Sequence, residues 1–125
     1  MDSFRFEPFC ERKDHMKVYY KDAYVPTSNE AMTRRVLSHD GNLMLVHMTF
    51  HKKSDDPGLH SHPHEQIVYV QKGKLEFIIG GESFIIGEGD SVYVEPNVEH
   101  GAKVLEDDSV LLDIFSPQRE DFLKK

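Results

Sequence analysis

The stretch Gly58-Leu59-His60-Ser61-His62-Pro63-His64-Glu65-Gln66-Ile67-Val68-Tyr69-Val70 decides how the rest of the chain is read. Three histidines alternate with other residues, an amide follows, and then comes an apolar run rich in β-branched and aromatic side chains. On an extended chain, residues two apart point to the same face. His60 and His62 can therefore aim two imidazoles at one point, and His64 shares their register. A strand starting near Glu65 would hold that point rigid. Imidazole is the commonest protein ligand of divalent transition metals. The competing reading is a polar loop of solvated histidines.

Outward from this stretch the chain reads as short strands separated by turn residues. His39-Asp40-Gly41-Asn42 is a turn between a strand candidate over 33–38 and a strong one over 43–50. In the latter, Leu43, Leu45, His47 and Thr49 share one face, and Met44, Val46, Met48 and Phe50 the other. Both faces are largely apolar, which predicts cover on both sides. His47 and His51 read as structural. Downstream, strands are expected over 65–71, 74–79, 82–86, 91–95, 100–105 and 109–115, with Gly80-Gly81 as a two-residue hairpin turn. Upstream, 16–20 reads as a short strand and 22–29, which contains Pro26, as loop. Phe4, Phe6 and Phe9 are apolar beads without a clear period, expected in an extended arm. Eight or nine short strands without a convincing helix predict an all-β sandwich or barrel in one domain.

Composition narrows the function. The 125 residues carry a net charge of −7, so nucleic acid would be repelled on average, and Arg34-Arg35, Lys52-Lys53 and Lys124-Lys125 are too small for a basic footprint. A small anionic ligand is still allowed, because a metal and one or two arginines can outweigh global charge locally. No apolar run approaches the ~20 residues of a membrane span, and the N-terminus lacks the apolar segment of a signal peptide. A cytoplasmic location is the expectation. Cys10 is the single cysteine and reads as a bystander.

A third imidazole, His100, lies after a turn far along the chain. Taken together, Gly58…His60-x-His62-x3-Gln66-x6-Gly73 and Gly89-Asp90-x5-Pro96-x3-His100 resemble the two motifs of the cupin superfamily. The resemblance covers roughly residues 31–123 and is closest to small single-domain members. It implies a cupin-type jelly-roll β-barrel carrying one divalent metal ion, with His60, His62, Gln66 and His100 as ligands. The implied organisation is an N-terminal arm and first strand over 1–30, the cupin barrel over 31–123 and a tail over 124–125. Gln stands at position 66 where Glu is usual. A neutral first shell leaves the full charge on the metal and makes it a stronger Lewis acid toward an anionic substrate. His64 is the rival fourth ligand, but Pro63 interrupts the strand geometry there, whereas Gln66 begins the better strand and shares a face with Val68 and Val70. The donor set suits zinc, nickel, cobalt, manganese or iron.

The second informative segment is Leu111-Leu112-Asp113-Ile114-Phe115-Ser116-Pro117-Gln118-Arg119-Glu120-Asp121-Phe122-Leu123. Asp113 shares a strand face with Leu111 and Phe115. A carboxylate there is costly unless it has a role or a partner, for which Arg119 is the candidate. With the histidine motifs, Asp-x-Phe-Ser-Pro-x-Arg-x-Asp-Phe-Leu resembles the pectin-degradation cupins that act on 4,5-unsaturated uronates and promote their conversion to linear ketonised sugar acids. The resemblance implies that Asp113, Phe115 and Arg119 line the active site, with Asp113 moving a proton and Arg119 clamping a carboxylate. A cupin dioxygenase, separable by its dependence on iron and oxygen, is the alternative enzyme. A sugar-binding cupin without activity is the alternative outside catalysis. Leu112 and Ile114 face away from Asp113, so a homodimer that covers them is expected.

Overall fold

The structure is a computed structural model and describes residues 16–124. The aromatic arm and Cys10 lie outside the described residues. Among those described, nine strands form: β1 (Tyr24–Ser28), β2 (Met32–Asp40), β3 (Leu43–Phe50), β4 (Glu65–Lys72), β5 (Lys74–Ile79), β6 (Glu82–Gly87), β7 (Ser91–Val94), β8 (His100–Val104) and β9 (Ser109–Ser116). A six-stranded sheet runs β1-β2-β3-β9-β4-β7, and a three-stranded sheet runs β6-β5-β8. All pairings are antiparallel. The fold is the all-β jelly roll expected, drawn as two sheets around one core rather than one continuous hydrogen-bonded cylinder. No helix of the described residues is long and apolar enough to cross a membrane.

Most turns follow from local chemistry. At the β5–β6 hairpin Ile79 pairs with Glu82, leaving Gly80 and Gly81 as the two loop residues with φ of 55° and 87°. A two-residue turn with both φ positive matches the twist of its strands, and glycine reaches that conformation at little cost. The core is made by alternation. Val46, Val68, Val70, Leu75 and Val94 are at most 1% exposed, and each contributes about 1.5–3 kcal/mol by burial.

Three local expectations are corrected. Residues 16–19 are irregular and lead into a 3-10 turn at Tyr20–Asp22, not a strand. Met16, Tyr19 and Tyr20 are exposed, so this stretch has no buried face to pair against. The expected loop around Pro26 is instead β1. Among the described residues it pairs only with β2, at the sheet edge, with a register irregularity between Tyr24 and Thr27. An edge irregularity is where proline is tolerated, because no ladder hydrogen bond needs its missing N–H. Finally, β3 is fully buried on one face only. Met44, Val46 and Met48 are in the core, while Leu43 is exposed and Leu45 and His47 are half-buried.

Register across the six-stranded sheet places the chemistry. On its inner face Val46 pairs with Asp113, and Asp113 with Val68. One row away Met44 pairs with Phe115 and Phe115 with Gln66. In the opposite direction Arg34 pairs with Met48 and Met48 with Leu111. Gln66, Asp113 and Arg34 thus stand on adjacent rows of one wall. The β3–β4 connection runs back along β8, making isolated bridges at Ser54–Val104 and His60–His100.

Candidate metal centre and active site

His60 is positioned by backbone pairing. His60 N–H donates to the His100 carbonyl, and His100 N–H to the His60 carbonyl, each at 2.9 Å. Beside this bridge Ala102 N–H donates to the Pro57 carbonyl at 2.9 Å. The approach is so close that a Cβ on Gly101 would overlap the Pro57 carbonyl oxygen. Glycine at 101 is what lets the loop lie against β8. His62 follows two residues later, and β4 begins at Glu65.

The three rings converge. Centroids are 4.5 Å apart for His60–His100, 4.8 Å for His62–His100 and 5.7 Å for His60–His62. One ligand atom from each lies within 4.8 Å of the others. Each Nδ1 meets a nearby carbonyl: His60 that of Gly58 at 2.8 Å, His62 that of His64 at 3.0 Å, and His100 that of Val98 at 2.9 Å. A carbonyl only accepts, so each Nδ1 carries the proton and each Nε2 presents a lone pair. His100 Nε2 is buried without a partner. Burial, and then positive neighbours that include Arg119, hold the His62 imidazole below its usual pKa. Burial does the same at His100. Both effects favour the neutral form that ligates metal.

Gln66 completes the cluster from β4. Its Oε1 is 3.0 Å from His62 Nε2, and its Nε2 donates to Asp113 Oδ1 at 3.1 Å. With the His62 proton on Nδ1, two lone pairs face each other across that 3.0 Å gap. The amide cannot turn over without facing its oxygen to the Asp113 carboxylate. A cation beside both atoms resolves the conflict, and a divalent ion fits this donor set of three imidazoles and an amide oxygen. His64 is outside the cluster of His60, His62 and His100. It gives its carbonyl to His62, and its ring lies 5.4 Å from that of His62 and 6.4 Å from Phe115.

The cavity in front of these groups has a volume of about 580 Å³. Asp113 lines it and is 8% exposed. Burial pushes its carboxyl up to about 6, partly offset by the Gln66 hydrogen bond and by Arg34 and Arg119. Asp113 is not ion-paired with Arg119. That guanidinium instead grips Asp121 through Nε at 3.0 Å and Nη2 at 2.9 Å, holding the Asp121 carboxyl below its usual range. It also lies 5.0 Å over the Phe115 ring and 4.2 Å over the Phe122 ring. The cavity thus brings together His60, Gln66, His100, Asp113, Phe115 and Arg119, and His62 contacts two of them, Gln66 and Phe115. His51 and His47 take other roles: His51 meets Thr33 Oγ1 at 2.8 Å, and His47 packs edge-on against Tyr20.

Sequence reasoning passed over Arg34. It lines the cavity from β2, with its guanidinium 4.2 Å from the Phe122 ring centre. The signal was present: Met32, Arg34 and Val36 share a strand face, so a charge sits between two apolar residues. That is the pattern that marks Asp113.

Comparison with known proteins places the chain by sequence and by fold. The profile of the cupin domain matches residues 46–115. The chain is 37% identical to the pectin degradation protein KdgF of Dickeya dadantii, over 86% of this chain and 100% of that protein. The solved structure of KdgF from Halomonas sp. superposes with a TM-score of 0.78 at 29% identity, covering 86% of this chain and 98% of that one. An RmlC-like cupin from Shewanella frigidimarina gives 0.77 at 30% identity, covering 87% and 96%. The chain therefore belongs to the cupin family, and within it stands with the pectin degradation protein KdgF.

Proposed function

We propose that this protein is a metal-dependent enzyme that converts 4,5-unsaturated uronic acid monomers to linear ketonised sugar acids. The observation that carries the reading is Asp113: a buried carboxyl in the cavity wall, tied through one amide to the histidine cluster. In this reading His60, His62, His100 and Gln66 hold one divalent ion. When bound, that ion supplies Lewis-acid polarisation of the sugar oxygens and a template for the ring.

The protein's own groups do the rest. Gln66 occupies Asp113 Oδ1, so Oδ2 is the oxygen left to accept and return a proton. The reaction is an isomerisation that consumes no co-reactant: the anomeric hydroxyl gives up its proton and becomes a carbonyl as the bond from C1 to the ring oxygen breaks, that oxygen is left as the enol oxygen on C5, and a proton goes to C4 as enol becomes ketone. Phe115, itself buried, closes the floor of the cavity and excludes water from the transfer. Arg119 has one guanidinium edge committed to Asp121 and one edge left for a substrate carboxylate.

The test is to mix purified, metal-loaded protein with 4,5-unsaturated galacturonate and follow the ultraviolet absorbance of its double bond. Loss faster than the spontaneous rate is expected, and no acceleration would refute the activity. A homodimer belongs to the same reading. Ile67 pairs with both Ile114 and Tyr93 on the outer sheet face, and all three are exposed in the single chain. Light scattering on the purified protein decides this, with a monomer overturning it.

A further inference from the structure

Arg34 forms no ion pair among the described residues. Its Nε is buried with no hydrogen-bond partner. Arg119, the other guanidinium in the cavity, differs in kind, because Asp121 already neutralises it with two hydrogen bonds. Both guanidiniums lie 4.2 Å from the centre of the Phe122 ring, so one aromatic platform orients the two. Asp113 and Asp121 are near enough to act on Arg34 through space. Neither is bonded to it.

We propose that Arg34 is the residue that reads the substrate's carboxylate, gripping it together with the open edge of Arg119. The proposal rests on the uronate reading for its substrate class. The chemistry is that of a preformed anion site. An unpaired, half-buried guanidinium costs free energy in the empty cavity, and an incoming carboxylate removes that cost while accepting two parallel N–H bonds. Register sets the geometry: Arg34 lies on the row of Met48 and Leu111, and Asp113 on the row of Val46 and Val68. A sugar acid with its carboxylate at Arg34 would lay its ring across Asp113 toward the histidines. Selectivity follows, since a neutral hexose or a uronate ester would leave the Arg34 charge unanswered.

The experiment compares galacturonate, which lacks the reactive double bond, with its methyl ester. Both are titrated calorimetrically into the metal-loaded protein. Arg34→Met keeps an apolar stem over Phe122 and removes the charge. It should weaken galacturonate binding by about 10- to 100-fold and leave ester binding within about threefold. On the unsaturated uronate, KM should rise by more than kcat falls. Metal content, measured by elemental analysis, should stay at the wild-type value. Arg34→Lys keeps a charge without the fork and should fall between the two; it also carries the test should Arg34→Met fail to fold. Undiminished galacturonate binding in Arg34→Met overturns the proposal. So does an equal loss for acid and ester, which is the signature of packing alone. Wild-type protein that prefers acid to ester through Arg34 yet leaves the unsaturated uronate unchanged would refute the reaction and uphold the carboxylate site.

Discussion

Gly101→Ala tests whether a backbone contact behind the histidine cluster sets the proposed metal site. The added methyl would overlap the Pro57 carbonyl oxygen and lie 3.0 Å from the Pro57 carbonyl carbon and 3.2 Å from that of Gly58. Non-bonded carbons prefer about 3.5–4.0 Å, and these atoms are backbone, so no side chain can swing aside. The loop must retreat by roughly an ångström. That stretches the 2.9 Å Ala102 N–Pro57 O bond beyond useful length and pulls on the His60–His100 bridge next to it. Overpacking of this size costs about 1–3 kcal/mol, and the lost bond about 1 more. For a chain of this length the melting temperature should drop by about 5–15 °C. His60 moves with the loop, while His62 and His100 keep their own carbonyl anchors. Zinc affinity, measured by competition with a chelator, should fall about 10- to 100-fold. Gly87→Ala is the control, since a Cβ there meets only the Gly73 carbonyl oxygen at 3.6 Å. Wild-type zinc affinity and melting temperature in Gly101→Ala would refute the idea that this contact places His60.

Asp113→Asn keeps the shape of the wall and removes the carboxylate; kcat on the unsaturated uronate should fall by about 10²–10⁴-fold at unchanged metal content, and full activity would remove Asp113 from the reaction. Gln66→Glu puts a second carboxylate where Gln66 now stands 3.1 Å from Asp113. Like charges at that spacing repel by roughly 5 kcal/mol at an effective dielectric of about 20, so the chelator-treated variant should melt well below wild type and recover when a divalent ion is added. Equal melting temperatures with and without the ion would contradict the placement of Gln66 at the metal. Leu75→Ala empties a fully buried core position on β5 and should cost about 2–5 kcal/mol in urea unfolding, with a smaller loss indicating that the two sheets can close over the gap.

The sequence made the strands legible because their side chains alternate and their turns carry Gly, Asp and Asn. Asp113 was legible for the same reason: a charge on an apolar strand face stands out. Arg34 obeys the same rule on β2, but beside Arg35 it read only as a small basic cluster. Its inward direction is settled by the pairing with Met48, which only the folded sheet supplies. What sets His64 apart from Gln66 is tertiary as well: His64 gives its carbonyl to His62, while the Gln66 amide is oriented by Asp113. The loop over 51–64 was not readable as a pairing segment. Its contacts to β8 are made by backbone atoms of Ser54, Pro57 and His60, and no side-chain period announces them. At β3 the pattern misled, because apolar side chains on both faces promised two covers, and the described residues bury one fully.

That loop has a second consequence, for association between molecules. An open strand edge, with its row of unpaired N–H and C=O groups, invites another chain to add on. On β8 the outward N–H groups of His100, Ala102 and Val104 are taken by His60, Pro57 and Ser54 of the same chain. Pro57 offers no N–H in return, so the covering segment is itself a poor template for a further strand. The residues that hold His60 in place therefore also act as a guard rail against aggregation along this edge. A lesion that frees the loop would harm the protein twice, once by loosening His60 in the proposed metal centre and once by exposing an adhesive edge.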